Sequence, residues 1–258
     1  MRQIKCPQIE KNRKDQRRTW PVVTAILLGC ACSALADNVT MELTGPTSSS
    51  APNLAGVYTD PYTALIGAAG QTSGPISGVS TYVLCDDFST DVYIGEIWQA
   101  TSTNLSALNT SSPLALKFDR TNAAAQYSDY MAAGYLATQI MSIDQSTSAG
   151  QIEAEQMSFA LWGIFDTNPS NGPLSGAWIT GANLTAAEND LSNARSAVVG
   201  MNAAQFANVF IYTPNPLNAS QEYIVVTPEP STYGFLAIGL AIILFTVRRA
   251  RKTGSQPA

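Results

Sequence analysis

Tyr82-Val83-Leu84-Cys85-Asp86-Asp87 is the stretch that decides the fold, because four strand-forming residues run directly into two aspartates. The composition predicts a β-strand that ends at Asp86. Val92–Trp98 has the same character, and Asp91 lies near the turn between the two runs, so we predict a β-hairpin. Oxygen-rich turns bind calcium, but the glycine and the distal glutamate of an EF-hand loop are missing here. We therefore expect Asp86, Asp87 and Asp91 to form an exposed, solvated edge and to bind no metal.

Three helices are predicted after these strands. Apolar and small residues recur at spacings near three and four from Thr121 to Ser142, and again from about Ala149 to Phe165. That period is typical of amphipathic helices. Thr185 and Glu188 have the spacing of a capping box, which predicts a third helix over roughly 185–199.

The chain then returns to β-structure. Val209–Tyr212 and Tyr223–Val226 are rich in β-branched and aromatic residues and predict a second hairpin. Residues 37–80 alternate short apolar pieces with Gly, Pro and Ser, which indicates short strands and long loops. Strands, then helices, then strands favour an α+β domain with antiparallel strands and a central helical segment. To this fold class we add an N-terminal signal peptide and one C-terminal transmembrane helix.

Residues 1–36 have the composition of a signal peptide. Seven cations precede an apolar stretch from Pro21 to about Leu35. Ala34 and Ala36 offer the small residues that signal peptidase requires, so we predict cleavage before Asp37.

Two alternatives to this interpretation of the leader stay open. Arg17-Arg18 can belong to a twin-arginine signal, although the residues that follow fit that signal poorly. Leu27-Leu28-Gly29-Cys30 can be a lipoprotein box, in which Leu28 is a poor fit.

The tail, residues 227–258, has the composition of a second targeting signal. Pro228 and Pro230 flank Glu229, and proline restricts its own backbone and that of the preceding residue, so this motif should be exposed and stiff. An apolar run at about 232–247 predicts a transmembrane helix, short for a bilayer. The run ends in a basic stop formed by Arg248, Arg249, Arg251 and Lys252. The positive-inside rule places this stop in the cytoplasm and the domain 37–226 outside.

This combination of motif, helix and basic stop resembles the PEP-CTERM sorting signal. The resemblance implies recognition of Pro228, Glu229 and Pro230 by exosortase and retention by the basic stop. It also implies a chain anchored in the inner membrane until the tail is removed, and then delivered to the cell surface or the extracellular matrix. Signal peptidase and exosortase are then the partners during export.

Composition excludes several classes of function for the exported region. Residues 37–230 hold three cations against 17 anions, a net charge of −14, which repels nucleic-acid phosphates. The chain has no histidine, which excludes Ser-His-Asp and Cys-His catalysis and most zinc sites. We find no cofactor motif and expect no cofactor.

Cys85 is the one cysteine of the exported region, so no internal disulfide is expected. The segments Tyr82–Asp87 and Gln156–Trp162 together resemble the signature segments of bacterial surface thioester domains. The resemblance implies an internal thioester between Cys85 and Gln156, an electrophile that captures a nucleophile on another surface. In that family the glutamine stands four residues before the tryptophan, where this chain has Ser158. The alternative is a chain that keeps the fold without the bond, in which Cys85 and Trp162 are packed core residues.

The leading hypothesis is a non-enzymatic surface or matrix protein with an adhesive or structural role, which contacts exopolysaccharide or surface proteins. A covalent adhesin acting through Cys85 and Gln156 is the first alternative. An extracellular carbohydrate-active enzyme is the second, and it needs two converging carboxylates. Glu153 and Glu155 do not supply them, because residues two apart on a helix face different directions.

Overall fold

The computed structural model describes residues 37–46, 53–59 and 61–228, together with Gly239, Ala241 and Ile243. The predicted signal peptide, with Ala34 and Ala36, lies outside these residues. So do Glu229 and Pro230, the basic stop at 248–252 and most of the apolar run at 232–247. Within the described part of the chain, no helix has the length and apolar character needed to cross a membrane.

Six antiparallel strands close into a barrel in the order β1, β4, β5, β8, β7, β6. Their bounds are β1 Asp37–Pro46, β4 Tyr62–Ala68, β5 Gly78–Cys85, β6 Ile97–Asn104, β7 Val209–Pro214 and β8 Tyr223–Val226. β1 closes the ring, because Met41 lies opposite Ile66 of β4 on one side and opposite Trp98 of β6 on the other. Between β1 and β4, the short strands β2 (Asn53–Leu54) and β3 (Val57–Tyr58) form a separate two-stranded sheet.

The predicted fold class is wrong, and so is its first hairpin. β5 pairs with β4 and β8, whereas β6 pairs with β1 and β7, so the two strands predicted to be partners never meet. Residues 92–96 form a loop that turns at Gly95, whose φ is +86°. Residues 37–226, as far as the structure describes them, form a closed antiparallel barrel with three helices, in which every barrel strand has two neighbours and none is left as an open edge.

Between β6 and β7 the chain forms three helices: α1 (Ala123–Ser142), α2 (Ser148–Phe165) and α3 (Gly181–Ala197). The first two confirm the predicted helices within a few residues, and the predicted β7–β8 hairpin is also confirmed. The predicted capping box is wrong, because α3 begins one turn earlier and Thr185 lies inside it.

The barrel strands contribute side chains to two hydrophobic cores, one inside the barrel and one between the barrel and the helices. Val83 and Cys85 of β5 face the barrel interior with Met41 and Trp98, whereas Leu84 between them packs against the helices. This alternation follows from the two-residue period of a strand. A strand buried on both faces explains why Tyr82–Cys85 is almost continuously apolar rather than alternating.

An ion pair joins α1 to α3. Arg195 Nη2 lies 3.6 Å from Asp129 Oδ1. Burial raises the pKa of Asp129 to about 6, with a further contribution from the charge of Asp119, while Arg195 opposes the shift.

This shift predicts a pH dependence of stability. Between about pH 4 and pH 7 the free energy of unfolding of the wild type should fall by about 1–2 kcal/mol relative to Asp129→Asn. The sign follows because the folded chain keeps the Asp129 proton up to about pH 6, whereas the unfolded chain releases it near its ordinary value of 3.8. Urea denaturation of both proteins at several pH values measures this change. A difference in the free energy of unfolding between them that is constant with pH would contradict the prediction.

Candidate functional site

Cys85 ends β5 with its thiol buried beside the backbone of Asp87. Its Sγ donates to the Asp87 carbonyl at 3.2 Å and accepts from the Asp87 amide at 3.3 Å. Burial raises the pKa of the Cys85 thiol well above its usual value, and the charges of Asp86 and Asp87 add to the shift. The thiol is therefore held in its protonated, weakly nucleophilic form.

Helix α2 contacts β5 through Trp162 and the β3–β4 connection through Ser158, whereas Gln156 contacts another helix. The Trp162 Nε1–H donates to the Cys85 carbonyl at 2.9 Å, and the Ser158 hydroxyl donates to the Thr59 carbonyl at 2.7 Å. Gln156 instead donates to Asn183 of α3 at 3.0 Å. Two helical positions rotate a side chain by about 200°, which puts Gln156 on another face of α2.

The structure therefore does not bring together the two residues of the expected thioester. Cys85 Sγ is hydrogen-bonded to the Asp87 backbone and the Gln156 amide to Asn183, and no hydrogen bond joins Cys85 to Gln156. Ser158, which stands four residues before Trp162, is buried and bonds to Thr59, and a serine hydroxyl has no carboxamide for a thiolate to attack.

The predicted exposure of Asp86 and Asp87 is wrong. Both side chains are fully buried rather than part of a solvated edge, and only Asp91 of the predicted trio is exposed. They meet Glu222, which immediately precedes β8 and is also fully buried. We call Asp86, Asp87, Glu222, Lys117 and Tyr130 the buried acidic cluster.

Glu222 accepts hydrogen bonds from three separate parts of the chain. Tyr130 of α1 and Thr213 of β7 donate through their hydroxyls, and the Lys117 amide donates at 2.9 Å. Burial raises the pKa of Glu222, and the bonds from Thr213 and Tyr130 oppose that shift. Glu222 thus joins the barrel, helix α1 and the loop that precedes α1.

Lys117 supplies the positive charge of the cluster. Its Nζ forms an ion pair with Asp87, and it also donates to the Thr90 hydroxyl at 3.1 Å and the Ser220 carbonyl at 3.0 Å. The second oxygen of Asp87 accepts from the amide and the hydroxyl of Ser89 at 3.1 and 2.9 Å. Every oxygen of Asp87 is therefore partnered.

Asp86 is the exception in the cluster. Both of its carboxyl oxygens are buried without a hydrogen-bond partner. Burial raises the pKa of Asp86 well above its usual value, and the nearby charges of Glu222 and Asp87 raise it further, whereas Lys117 lowers it. Asp86 is thus a buried carboxyl group that binds a proton more readily than an exposed aspartate does.

Sequence analysis missed Lys117, Tyr130 and Glu222 as site residues. The one signal for Lys117 is its rarity, because it is the only lysine between residues 37 and 230. Among the described residues no group of His, Cys, Asp or Glu side chains is arranged to hold a metal ion.

An open cleft of about 540 Å³ lies beside this cluster. It is lined by β3 and the turn before it, by the loop after β5 and by helix α2, together with single residues of β1, β4 and the segment before β8. The aromatic residues that line it are Tyr58, Tyr62, Phe88, Tyr93 and Trp162. Asp91 and Gln221 supply polar groups, and Ile94 adds an apolar side chain. We call this the aromatic cleft.

No pair of carboxylates of the kind that a glycosidase needs is seen in the aromatic cleft. Asp91 is exposed and Asp87 is fully buried and tied to Lys117. On α2, Glu153 is exposed while Glu155 is buried, as expected for residues two apart on a helix.

Pro228 is the one residue of the predicted sorting motif that the structure describes, and it is exposed. It follows Thr227, whose amide donates to the Asn208 carbonyl at 2.8 Å and so continues the β7–β8 pairing. Recognition of the motif and cleavage before Asp37 both stay predictions.

No model of a protein family matches the sequence, and a search of curated proteins finds no match. Among solved structures, the chain is similar to the N-terminal thioester domain of the fibronectin-binding protein SfbI from Streptococcus pyogenes. The identity is 12% and the TM-score 0.37, over 75% of this chain and 95% of that one. It is also similar to a mutant of the pilus-presented adhesin Cpa, with 13% identity and a TM-score of 0.41, over 76% of this chain and 49% of that one. Because both TM-scores lie below 0.5, we infer nothing about the function of this chain from either similarity.

Proposed function

We propose that this chain is an exported surface or matrix protein that holds an uncharged polysaccharide in the aromatic cleft without forming a covalent bond. The observation that carries the proposal is the cleft itself, because aromatic side chains stand exposed around an open cavity. Tyr58 is 52% exposed, Tyr93 72% and Ile94 63%. Large apolar side chains gathered at an open site mark a surface that another molecule covers.

The lining of the cleft indicates the chemistry of its occupant. Aromatic faces pack against the C–H faces of sugar rings, while Asp91 and Gln221 offer groups for hydroxyls. The net charge of −14 between residues 37 and 230 opposes the approach of polyanions. A neutral polymer satisfies both conditions.

Export is proposed from the sequence. The leader before Asp37 and the Pro-Glu-Pro motif with its basic stop support delivery to the envelope by signal peptidase and exosortase. A surface role also fits the chemistry of the site, because the buried thiol of Cys85 and the Gln156 amide, which is bonded to Asn183, offer no activated nucleophile or electrophile. We therefore propose binding rather than catalysis.

The test uses two tyrosines of equal exposure. Tyr58 lines the aromatic cleft and Tyr82 lies outside it, and each is 52% exposed. Tyr58→Ala should weaken binding to a neutral exopolysaccharide by about tenfold or more, whereas Tyr82→Ala should leave it unchanged. Affinity electrophoresis or calorimetry with matched neutral and anionic polymers measures the effect.

Equal affinities of Tyr58→Ala and Tyr82→Ala for the neutral polymer would show that the aromatic cleft is not the binding site. Binding of the anionic polymer as tightly as the neutral one would contradict the proposed charge selection.

A further inference from the structure

A second open cavity, of about 520 Å³, borders the aromatic cleft. Asp87 and Phe88 line both cavities, and Phe88 is only half-buried, so its ring reaches the surface between them. Phe88 packs against Trp162 of the aromatic cleft and against Trp178 of the second cavity, with ring centroids 5.2 Å apart in each case. The loop after β5 is therefore a wall that the two cavities share. We call the second one the Trp178 cavity.

Trp178 gives this cavity an exposed aromatic surface. The residue is 40% exposed, whereas tryptophan side chains are on average highly buried. Its Nε1–H donates to the Asn171 carbonyl at 2.8 Å, and its ring meets that of Phe88 at 87°. These two contacts fix the orientation of the indole, so the exposed surface is formed before any ligand arrives.

The loop over residues 166–172 forms another side of the cavity and is tightly closed on itself. The Gly172 amide donates to the Asn168 carbonyl at 3.0 Å, and a Cβ at Gly172 would lie 2.7 Å from that carbonyl oxygen. The amides of Asn168 and Ser170 each donate at 3.0 Å to a side-chain oxygen two residues earlier, those of Asp166 and Asn168. Three backbone donors are thus used within the loop, which leaves few for pairing with an extended peptide.

The asparagine side chains of this loop are available to a ligand. Asn168 and Asn171 are exposed and line the cavity. Within the described part of the chain, neither side-chain NH₂ group donates a hydrogen bond. A carboxamide carries donors and an acceptor, which is what hydroxyl groups require. An aromatic surface flanked by carboxamides suits a sugar ring, which has an apolar C–H face and hydroxyls around its edge.

The charge of the cavity favours a neutral ligand. Asp166 lines it, and none of the described residues around it is a lysine or an arginine. An anionic ligand would meet a carboxylate here and no cation to offset it. The Trp178 cavity therefore has the same preference as the aromatic cleft.

Building on the polysaccharide binding proposed above, we propose that the Trp178 cavity is a second sugar-binding site. One neutral polysaccharide chain occupies both cavities and passes over Phe88, so the protein recognises a chain rather than a single sugar. Each cavity has the volume of a small-molecule site, about 300–1,000 Å³. When one ligand reaches two sites, the second binding step is intramolecular, and the affinity rises once the ligand is long enough to span both.

The experiment measures affinity as a function of ligand length. Oligomers of about two to ten sugar units, prepared by partial hydrolysis of the neutral exopolysaccharide, are titrated by calorimetry into the wild type and Trp178→Ala. The affinity of the wild type should rise by about tenfold or more from the shortest to the longest oligomers. Trp178→Ala should lose this rise but should bind the shortest oligomers as the wild type does, because they fit within the aromatic cleft.

Asn171→Ala tests the same site without touching the indole. The Asn171 group that holds Trp178 is its backbone carbonyl, so the substitution leaves that hydrogen bond in place. Loss of the side-chain carboxamide should weaken binding of the long oligomers by about threefold or more and leave the short ones unchanged. Asn218→Ala is the matched control, because Asn218 is exposed and lines neither cavity, and it should bind every length as the wild type does.

Tryptophan fluorescence gives a second readout on the wild type. Trp98 and Trp162 are each 4% exposed, so among the tryptophans that the structure describes Trp178 is the one accessible to a quencher. Long oligomers should protect the fluorescence from acrylamide, whereas the shortest oligomers should not.

Equal affinities of the wild type and Trp178→Ala for the long oligomers, with binding lost in Tyr58→Ala, would overturn the second site and leave the aromatic cleft as the binding site. An equal loss at every length in Trp178→Ala would also contradict the proposal, because the substitution would then act through the aromatic cleft. A wild type that binds no neutral oligomer would reject both proposed sites. Protection of Trp178 by a proline-rich peptide, but not by the oligomers, would assign the cavity to a protein partner instead.

Discussion

Glu222→Ala is expected to lower the free energy of unfolding by about 3–5 kcal/mol. Alanine leaves three buried donors without their acceptor, namely the hydroxyls of Tyr130 and Thr213 and the amide of Lys117. Each unsatisfied buried donor costs about 1–3 kcal/mol. Relief of the repulsion between Glu222 and Asp86 offsets part of this loss, but it is one interaction against three.

Urea denaturation followed by fluorescence measures the change. Glu222→Gln keeps the volume and one acceptor oxygen and should lose only about 1–2 kcal/mol. Glu188→Ala, at an exposed site on α3, should change stability by less than about 0.5 kcal/mol. A loss below about 1 kcal/mol for Glu222→Ala would show that the buried acidic cluster does not hold the helices to the barrel.

Trp162→Ala is expected to lower the free energy of unfolding by a similar amount, about 3–5 kcal/mol. The indole packs against Phe159 and Phe88 with ring centroids 5.0 and 5.2 Å apart, and its N–H satisfies the Cys85 carbonyl. The substitution therefore creates a cavity and leaves a buried carbonyl unpaired.

Trp178→Ala is the control for this variant. Trp178 also packs on Phe88, with centroids 5.2 Å apart, and donates to a backbone carbonyl, that of Asn171. It is 40% exposed, whereas Trp162 is 4% exposed, so its loss should cost about 1 kcal/mol. Equal losses for the two tryptophans in denaturant unfolding would contradict the assignment of Trp162 to the core.

The pairing of β5 with β8 explains why the carboxyls of the buried acidic cluster lie together. Asp86 and Asp87 stand where β5 leaves the barrel, and Glu222 stands where β8 enters it, so the closed ring of strands brings the carboxyls together. The Asp86 amide donates to the Glu222 carbonyl at 3.4 Å and continues the pairing of these two strands. Lys117 and Tyr130 then cover the cluster from the helical side. The position of the acids is thus a consequence of strand pairing.

The same geometry joins the cluster to the aromatic cleft. Asp87 belongs to both, because its buried carboxyl is held by Lys117 while its backbone carbonyl accepts from Gln221, a residue of the cleft. Gln221 in turn accepts from the Tyr223 hydroxyl inside the barrel at 3.0 Å. The cleft is therefore built on a rigid support, which favours binding by a preformed surface.

Helices α1 and α2 were predictable because the contacts that form a helix lie three and four residues apart. The orientation of Gln156 followed from the same rule, since its angle from Ser158 is fixed by helical geometry. The capping box at Thr185 failed for a related reason. Helix α3 begins at Gly181 after Thr180, whose side chain forms no cap hydrogen bond, and buried Ala187 and Ala194 anchor it against the helical core.

The absence of histidine, the single exported cysteine and the acidic charge were determined by the sequence alone, because composition does not depend on folding. So were the two long helices and the failure of Gln156 to share a face with Ser158. Closure of the barrel and burial of Asp86 and Asp87 were decided only by the tertiary structure. Their partners are remote, with 92 residues separating Tyr130 from Glu222 and 134 separating Gln221 from Asp87. A local pattern reports whether an aspartate ends a strand, but whether that aspartate is solvated depends on which distant segments pack over it.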